Sequence, residues 1–193
     1  MSDLIAKSNS TPTLARSGLT GAVGFGLVSL FIFATVAFGE RWMYRTLGLY
    51  GAYLVWTVMF ILLGGGVFGS LSVGRWRLPK FYLLFGVAFF AYAAAWTSAY
   101  FILRRTAGEW VGSVAGSLLM ALVFAAAFGA FRSIIKLWML LLVTNSIGYF
   151  LGSAIWQGVG GRVGMLLWGV VYGLFLGAGI GTVLRIVQTP RPE

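Results

Sequence analysis

The tightest constraint on this chain is where its charges fall. Long apolar runs follow one another from residue 19 to residue 187, and the charged residues are gathered into the short breaks between them. About 20 apolar residues in a helix cross a hydrocarbon core about 30 Å thick. A globule in water instead needs charge spread over its surface, and about 25% of a soluble domain is charged. Only 9% of these residues are charged and 60% are hydrophobic, with a mean hydropathy of +0.92. The chain reads as a polytopic integral membrane protein.

Only helices and closed barrels satisfy their backbone groups in lipid. Barrel strands alternate apolar and polar residues, and runs such as LLFGVAFFAYAAAW and LLMALVFAAAFGAF do not. The expected fold is therefore all-α, a bundle of six transmembrane helices over 18–187, with polar tails at 1–17 and 188–193. The spans fall at about 19–39, 47–73, 81–103, 111–131, 134–156 and 163–187. The first run is longer than a signal-peptide core of about 7–15 residues, and ATVAFGE makes a poor cleavage site. A single helix over 111–156 would be roughly 69 Å long, so a tight hairpin is expected at 131–134.

Positive charge favours the cytoplasmic side of a membrane. Lys7, Arg16, Arg75, Arg77, Lys80, Arg132, Lys136, Arg185 and Arg191 fall on the side of the tails, against Arg41, Arg45, Arg104, Arg105 and Arg162 on the other. That bias places both termini in the cytoplasm of a cell membrane, with a bacterial inner membrane as the expected setting. The net charge of +10 is then matched to lipid headgroups, and no nucleic-acid partner is expected. Trp42, Tyr44, Trp76, Tyr82, Trp110 and Trp156 lie near span ends, as interfacial aromatic belts do.

GVVYGLFLGAGIG, at 169–181, places Gly169, Gly173, Gly177 and Gly181 four residues apart. Small residues at that spacing let helices approach closely in a bilayer. This glycine zipper predicts a groove for another helix. Gly65 and Gly69, Ala91, Ala95 and Ala99, Gly112 and Gly116, and Gly148 and Gly152 mark helices that would meet it. Gly179, about 200° around the helix from Gly177, is expected to lie off the seam. The seam serves either internal packing or a second copy or partner membrane subunit. Glycines at 64–66 and 177–179 also allow broken-helix sites of the kind transporters use.

The chain has no cysteine and no histidine, which removes thiolate chemistry, the commonest general base and the commonest metal ligand. The acids are Asp3, Glu40, Glu109 and Glu193. Two lie in the tails, and Glu40 and Glu109 read as interfacial charges reaching water, since burying a carboxylate in a bilayer is costly. No catalytic residue, metal site or cofactor is expected. The most polar mid-span point is Thr144, Asn145 and Ser146. It reads as hydrogen-bond glue between helices or as a substrate-binding cluster at the midplane.

Two repeat schemes fit the sequence. In one, the second, fourth and sixth spans share a small-residue second half that ends at a basic residue. In the other, 19–103 and 111–187 form two halves of inverted topology. Two functional classes stay open. One is a small transporter, channel or substrate-binding transport subunit; the other is a non-catalytic subunit of a larger membrane complex. In size, span number and terminus placement the chain is similar to the substrate-binding subunits of energy-coupling-factor vitamin transporters. That resemblance implies a solute-binding transport subunit and assigns no residue.

Overall fold

The computed structural model describes residues 13–72 and 78–189. The expectations placed on Asp3, Lys7, Arg75, Trp76, Arg77, Arg191 and Glu193 lie outside them. Five helices account for nearly all described residues: α1 (Leu14–Gly69), α2 (Leu78–Leu103), α3 (Arg105–Phe128), α4 (Ile134–Val159) and α5 (Gly161–Gln188). No strand occurs among the described residues. All five are long and apolar enough to cross a membrane. Large apolar side chains point outward along them, including Phe31, Leu62, Leu83 and Ile135, an exterior compatible with lipid.

Five continuous elements stand where six were expected, because α1 runs through the first expected break. Its 56 residues would extend roughly 84 Å as a straight rod. The chain instead reverses at Gly48, whose φ of 69° and ψ of 178° are not helical. Across that turn the Phe25 and Phe60 rings lie 5.5 Å apart, and Trp56 Nε1 donates to Thr35 Oγ1 at 3.2 Å. Limbs 14–47 and 49–69 thus form an antiparallel hairpin. The expected break ERWMYRT stays helical because one residue is enough to reverse the chain, and glycine reaches that backbone region without a Cβ clash.

The same turn recurs. Arg104 has φ 55° and ψ 170°, and Gly160 has φ 71° and ψ 176°. Arg105 (φ 51°) and Gly161 (φ 56°) also have positive φ, so the breaks expected at 104–110 and 157–162 each shrink to about two residues. Gly48, Arg104 and Gly160 are spaced 56 residues apart, so the fold is three successive helical hairpins of one period. Phe25, Phe81 and Leu137 share that spacing and are fully buried, as are Phe68, Phe124 and Ile180. The turns follow one another as a direct repeat, hairpin after hairpin. At the opposite end α3 closes with Gly129 in the left-handed region, and Ala130 N donates to Ala125 O at 2.8 Å. The short 3₁₀ turn Phe131–Ser133 then leads into α4, which is the tight connection expected at 131–134.

The five elements pack in a closed ring, α1 on α2, α2 on α3, α3 on α4, α4 on α5 and α5 back on α1. That closure is the glycine stripe of α5. A Cβ on Gly173 would stand 2.8 Å from Phe25 O and 2.9 Å from Gly26 Cα. Gly177 lies against the Gly21 carbonyl, Gly181 against the Ser17 carbonyl, and Gly169 against Phe33. The helix in the groove is limb 14–47, not one of the four nominated from the sequence. Its own small residues, Ser17, Gly21 and Ser29, are buried there.

The nominated glycines serve other contacts. Gly65 meets the Tyr82 ring and Gly69 meets Leu78. Gly112 and Gly116 meet Trp96 and Tyr92 of α2, while Gly148 and Gly152 meet Tyr172 and Trp168 of α5. Gly179 lies off the seam of α5, as its helical angle predicts, and packs instead against α4. It is buried, and a Cβ there would lie 3.0 Å from Thr144 Cβ. A helix packed on two sides has no free face at 200°.

Candidate functional site

The three turns set a common ruler. Four residues from them stand Tyr44, Tyr100 and Trp156; eight residues away, Trp56, Trp96 and Trp168; twelve residues away, Phe60, Tyr92 and Tyr172. In the second and third hairpins the residue facing each of these across the hairpin is a glycine: Gly108, Gly112 and Gly116, then Gly164, Gly152 and Gly148. Small opposite large lets the two limbs approach closely, and at Gly112, Gly116, Gly152 and Gly164 the facing ring itself packs on the glycine. At 1.5 Å per residue the steps lie roughly 6 Å apart.

All of these aromatic residues except Trp156 line one cavity of about 320 Å³ between α1, α2, α4 and α5. Three tryptophans, six tyrosines and three phenylalanines form its wall, and Glu40 is its one carboxylate. No lysine or arginine among the described residues lines it. Tyr44, Tyr53 and Tyr100 mark the end nearest the turns, Glu40 and the tryptophans form the middle, and Phe60, Tyr92 and Tyr172 lie deepest. Tyr149 fills the side between two tryptophans, its ring 5.1 Å from Trp96 and 5.5 Å from Trp168. Its hydroxyl donates to Glu109 Oε1 at 3.1 Å. Glu40 and Glu109, read from the sequence as charges reaching water, are thus both tied to the cavity.

The deep end is fixed by hydrogen bonds. Tyr92 Oη donates to Asn145 Oδ1 at 2.6 Å and lies 2.9 Å from Tyr172 Oη. A phenol has one proton, so with Tyr92 committed to Asn145, Tyr172 donates to Tyr92. This chain ties α2, α4 and α5 together. Asn145 is fully buried and sits behind the cavity floor, outside the lining. Thr144 donates to Leu140 O at 2.8 Å and backs Gly179, and the Ser146 hydroxyl is enclosed. None of the three lines the cavity. The structure brings Asn145 to the site through Tyr92 and leaves Thr144 and Ser146 in helix packing.

Sequence reading passed over the aromatic lining because aromatic residues are ordinary in apolar helices. Tyr44 was assigned to an interfacial belt. The 56-residue register aligns Tyr44, Tyr100 and Trp156 but sets Trp96 and Tyr92 on the opposite limb from Trp56, Trp168, Phe60 and Tyr172, so the lining follows from distance to the turns and not from the register alone. Ring faces are electron-rich and ring edges electron-poor, so such a wall holds apolar, flat or cationic groups. Comparison with protein families, curated proteins and solved structures finds no match to the chain.

Proposed function

We propose that this chain is a six-span membrane protein that binds a small solute in the aromatic cavity, acting as a transporter or a substrate-binding transport subunit. One observation carries the reading: three successive hairpins each deliver a tryptophan to the same level of one cavity, at Trp56, Trp96 and Trp168. Packing alone would close that space with aliphatic side chains. Ligand sites are concave, largely apolar and supplied with a few placed polar groups. Here those groups are tyrosine hydroxyls and Glu40. The turns carry Arg41, Arg45, Arg104, Arg105 and Arg162 at their end, the side poorer in positive charge. By the positive-inside rule the cavity then opens away from the cytoplasm.

The alternative, an assembly subunit, drew on the glycine stripe as a docking face. That stripe is filled by limb 14–47 of the same chain, so the alternative loses its main support. Native mass spectrometry of protein released gently from membranes tests the choice. A small molecule should stay with the wild type and with Trp42→Leu, since Trp42 is 62% exposed, and be lost from folded Trp96→Leu. Retention of a stoichiometric protein partner with no small molecule would overturn the proposal.

A further inference from the structure

We infer that the solute is an organic cation, held by the aromatic faces and by the carboxylate of Glu40. This rests on the cavity being a solute site and adds the sign of the charge. The chain carries fourteen Lys and Arg against four acids, so an arbitrary cavity in it would be lined by positive charge. This one is the reverse. Both acids outside the terminal segments converge on it, Glu40 in the wall and Glu109 through the Tyr149 hydroxyl.

The repeat shows where Glu40 departs from the pattern. Eight residues from each turn a tryptophan faces a partner across its hairpin. That partner is Gly112 for Trp96 and Gly152 for Trp168, but the register gives Glu40 for Trp56. In the 56-residue register Glu40 stands at the position held by Trp96 and Gly152, so the first hairpin alone places a carboxylate there. Glu40 is half-buried in a wall made mostly of aromatic side chains, with no lysine or arginine of the described residues in that wall to pair with it. A cation supplies the counter-charge, and ring faces attract cations, as aromatic cages that hold quaternary ammonium groups do.

The indole N–H groups do not contradict this. Trp168 Nε1 lies 3.0 Å from the Cβ position of Gly152, and Trp96 Cδ1 lies 3.0 Å from that of Gly112. The pyrrole edges are therefore turned onto neighbouring helices, leaving ring surface to the cavity.

Two probes of one shape separate charge from bulk: phenyltrimethylammonium and tert-butylbenzene. Their affinities are measured for the full chain in lipid nanodiscs by tryptophan fluorescence, with empty discs correcting for partition. The cation should bind about tenfold tighter or more. Glu40→Gln should remove most of that preference while leaving the neutral probe unchanged. If Glu40→Gln does not fold, Trp56→Leu, which removes a ring face at the same level, should reduce the preference instead. Equal affinities, a tighter neutral probe, binding of neither probe, or an unchanged ratio in folded Glu40→Gln would overturn the inference. A neutral molecule retained in native mass spectrometry would overturn the cation and leave the solute-binding reading standing.

Discussion

The seam between α5 and limb 14–47 and the steps across the hairpins are both made with glycine, yet they do different things. In the seam glycine meets backbone: Gly177 sits on the Gly21 carbonyl, Gly181 on the Ser17 carbonyl and Gly173 on Phe25 O. The two helices touch along their main chains, and that contact closes the ring between the first and last elements. At the hairpin steps most glycines meet backbone as well, Gly112 at Trp96 O and Gly116 at Tyr92 O, but the three atoms nearest a Cβ on Gly152 all belong to the Trp168 indole. There glycine makes room for a large side chain that goes on to line a cavity. Removing a side chain thus brings backbones together in both regions, and at Gly152 it also admits a ring.

The comparison predicts unequal costs. Gly177→Ala should be the most damaging, because its Cβ would collide with the Gly21 carbonyl and stand 2.7 Å from Phe25 Cβ, and a helix backbone cannot turn aside. A loss of about 3 kcal/mol is expected, read as a fall in thermal unfolding temperature in detergent. A change within error would mean that the seam is loose. Gly152→Ala should cost about 1.5 kcal/mol, since the Trp168 indole can rotate away. It should also shift tryptophan emission and weaken solute binding, which Gly177→Ala should do only by unfolding. Equal losses for the two variants would erase the distinction between the regions.

The turns sharpen it from the other side, where the backbone asks for glycine and does not always have it. Arg104 holds φ 55° where Gly48 and Gly160 stand in the other hairpins. Left-handed backbone is costly for a residue with a Cβ, so Arg104→Gly should raise stability by about 1 kcal/mol. A decrease would show that the arginine side chain is needed where it stands. The smallest effect is expected at Gly39, a helical glycine whose added Cβ would meet nothing within 4 Å. Gly39→Ala should stabilise by about 0.5 kcal/mol through helix propensity alone, and a clear loss would reveal a close neighbour at that face.

How much of this was legible beforehand varies by residue. The apolar runs and sparse charges gave the helical class and placed most helix ends within a few residues. They did not show that ERWMYRT would remain helical, because polarity marks distance from lipid and not the point where a chain turns. The stripe at 169–181 was readable as a groove, but its occupant was not. Ser17, Gly21 and Ser29 give a weaker pattern than the glycine pairs elsewhere, and only the ring closure brings α1 onto α5. Asn145 was visible as the odd polar residue of its helix, whereas its bond to Tyr92, 53 positions away, was not. The cavity was hidden for the same reason, since each tryptophan is unremarkable within its own span.

Composition and local spacing by themselves determined the apolar helices, the absence of thiol and imidazole chemistry and the glycine groove, because each depends on what one segment contains. The tertiary structure decided which helix fills the groove, that Gly179 packs on Thr144, and that Trp56, Trp96, Trp168 and Glu40 share one wall. Those outcomes depend on how three hairpins of equal period are rotated against one another. That rotation is set by side-chain contacts between distant segments, which no window along the chain contains.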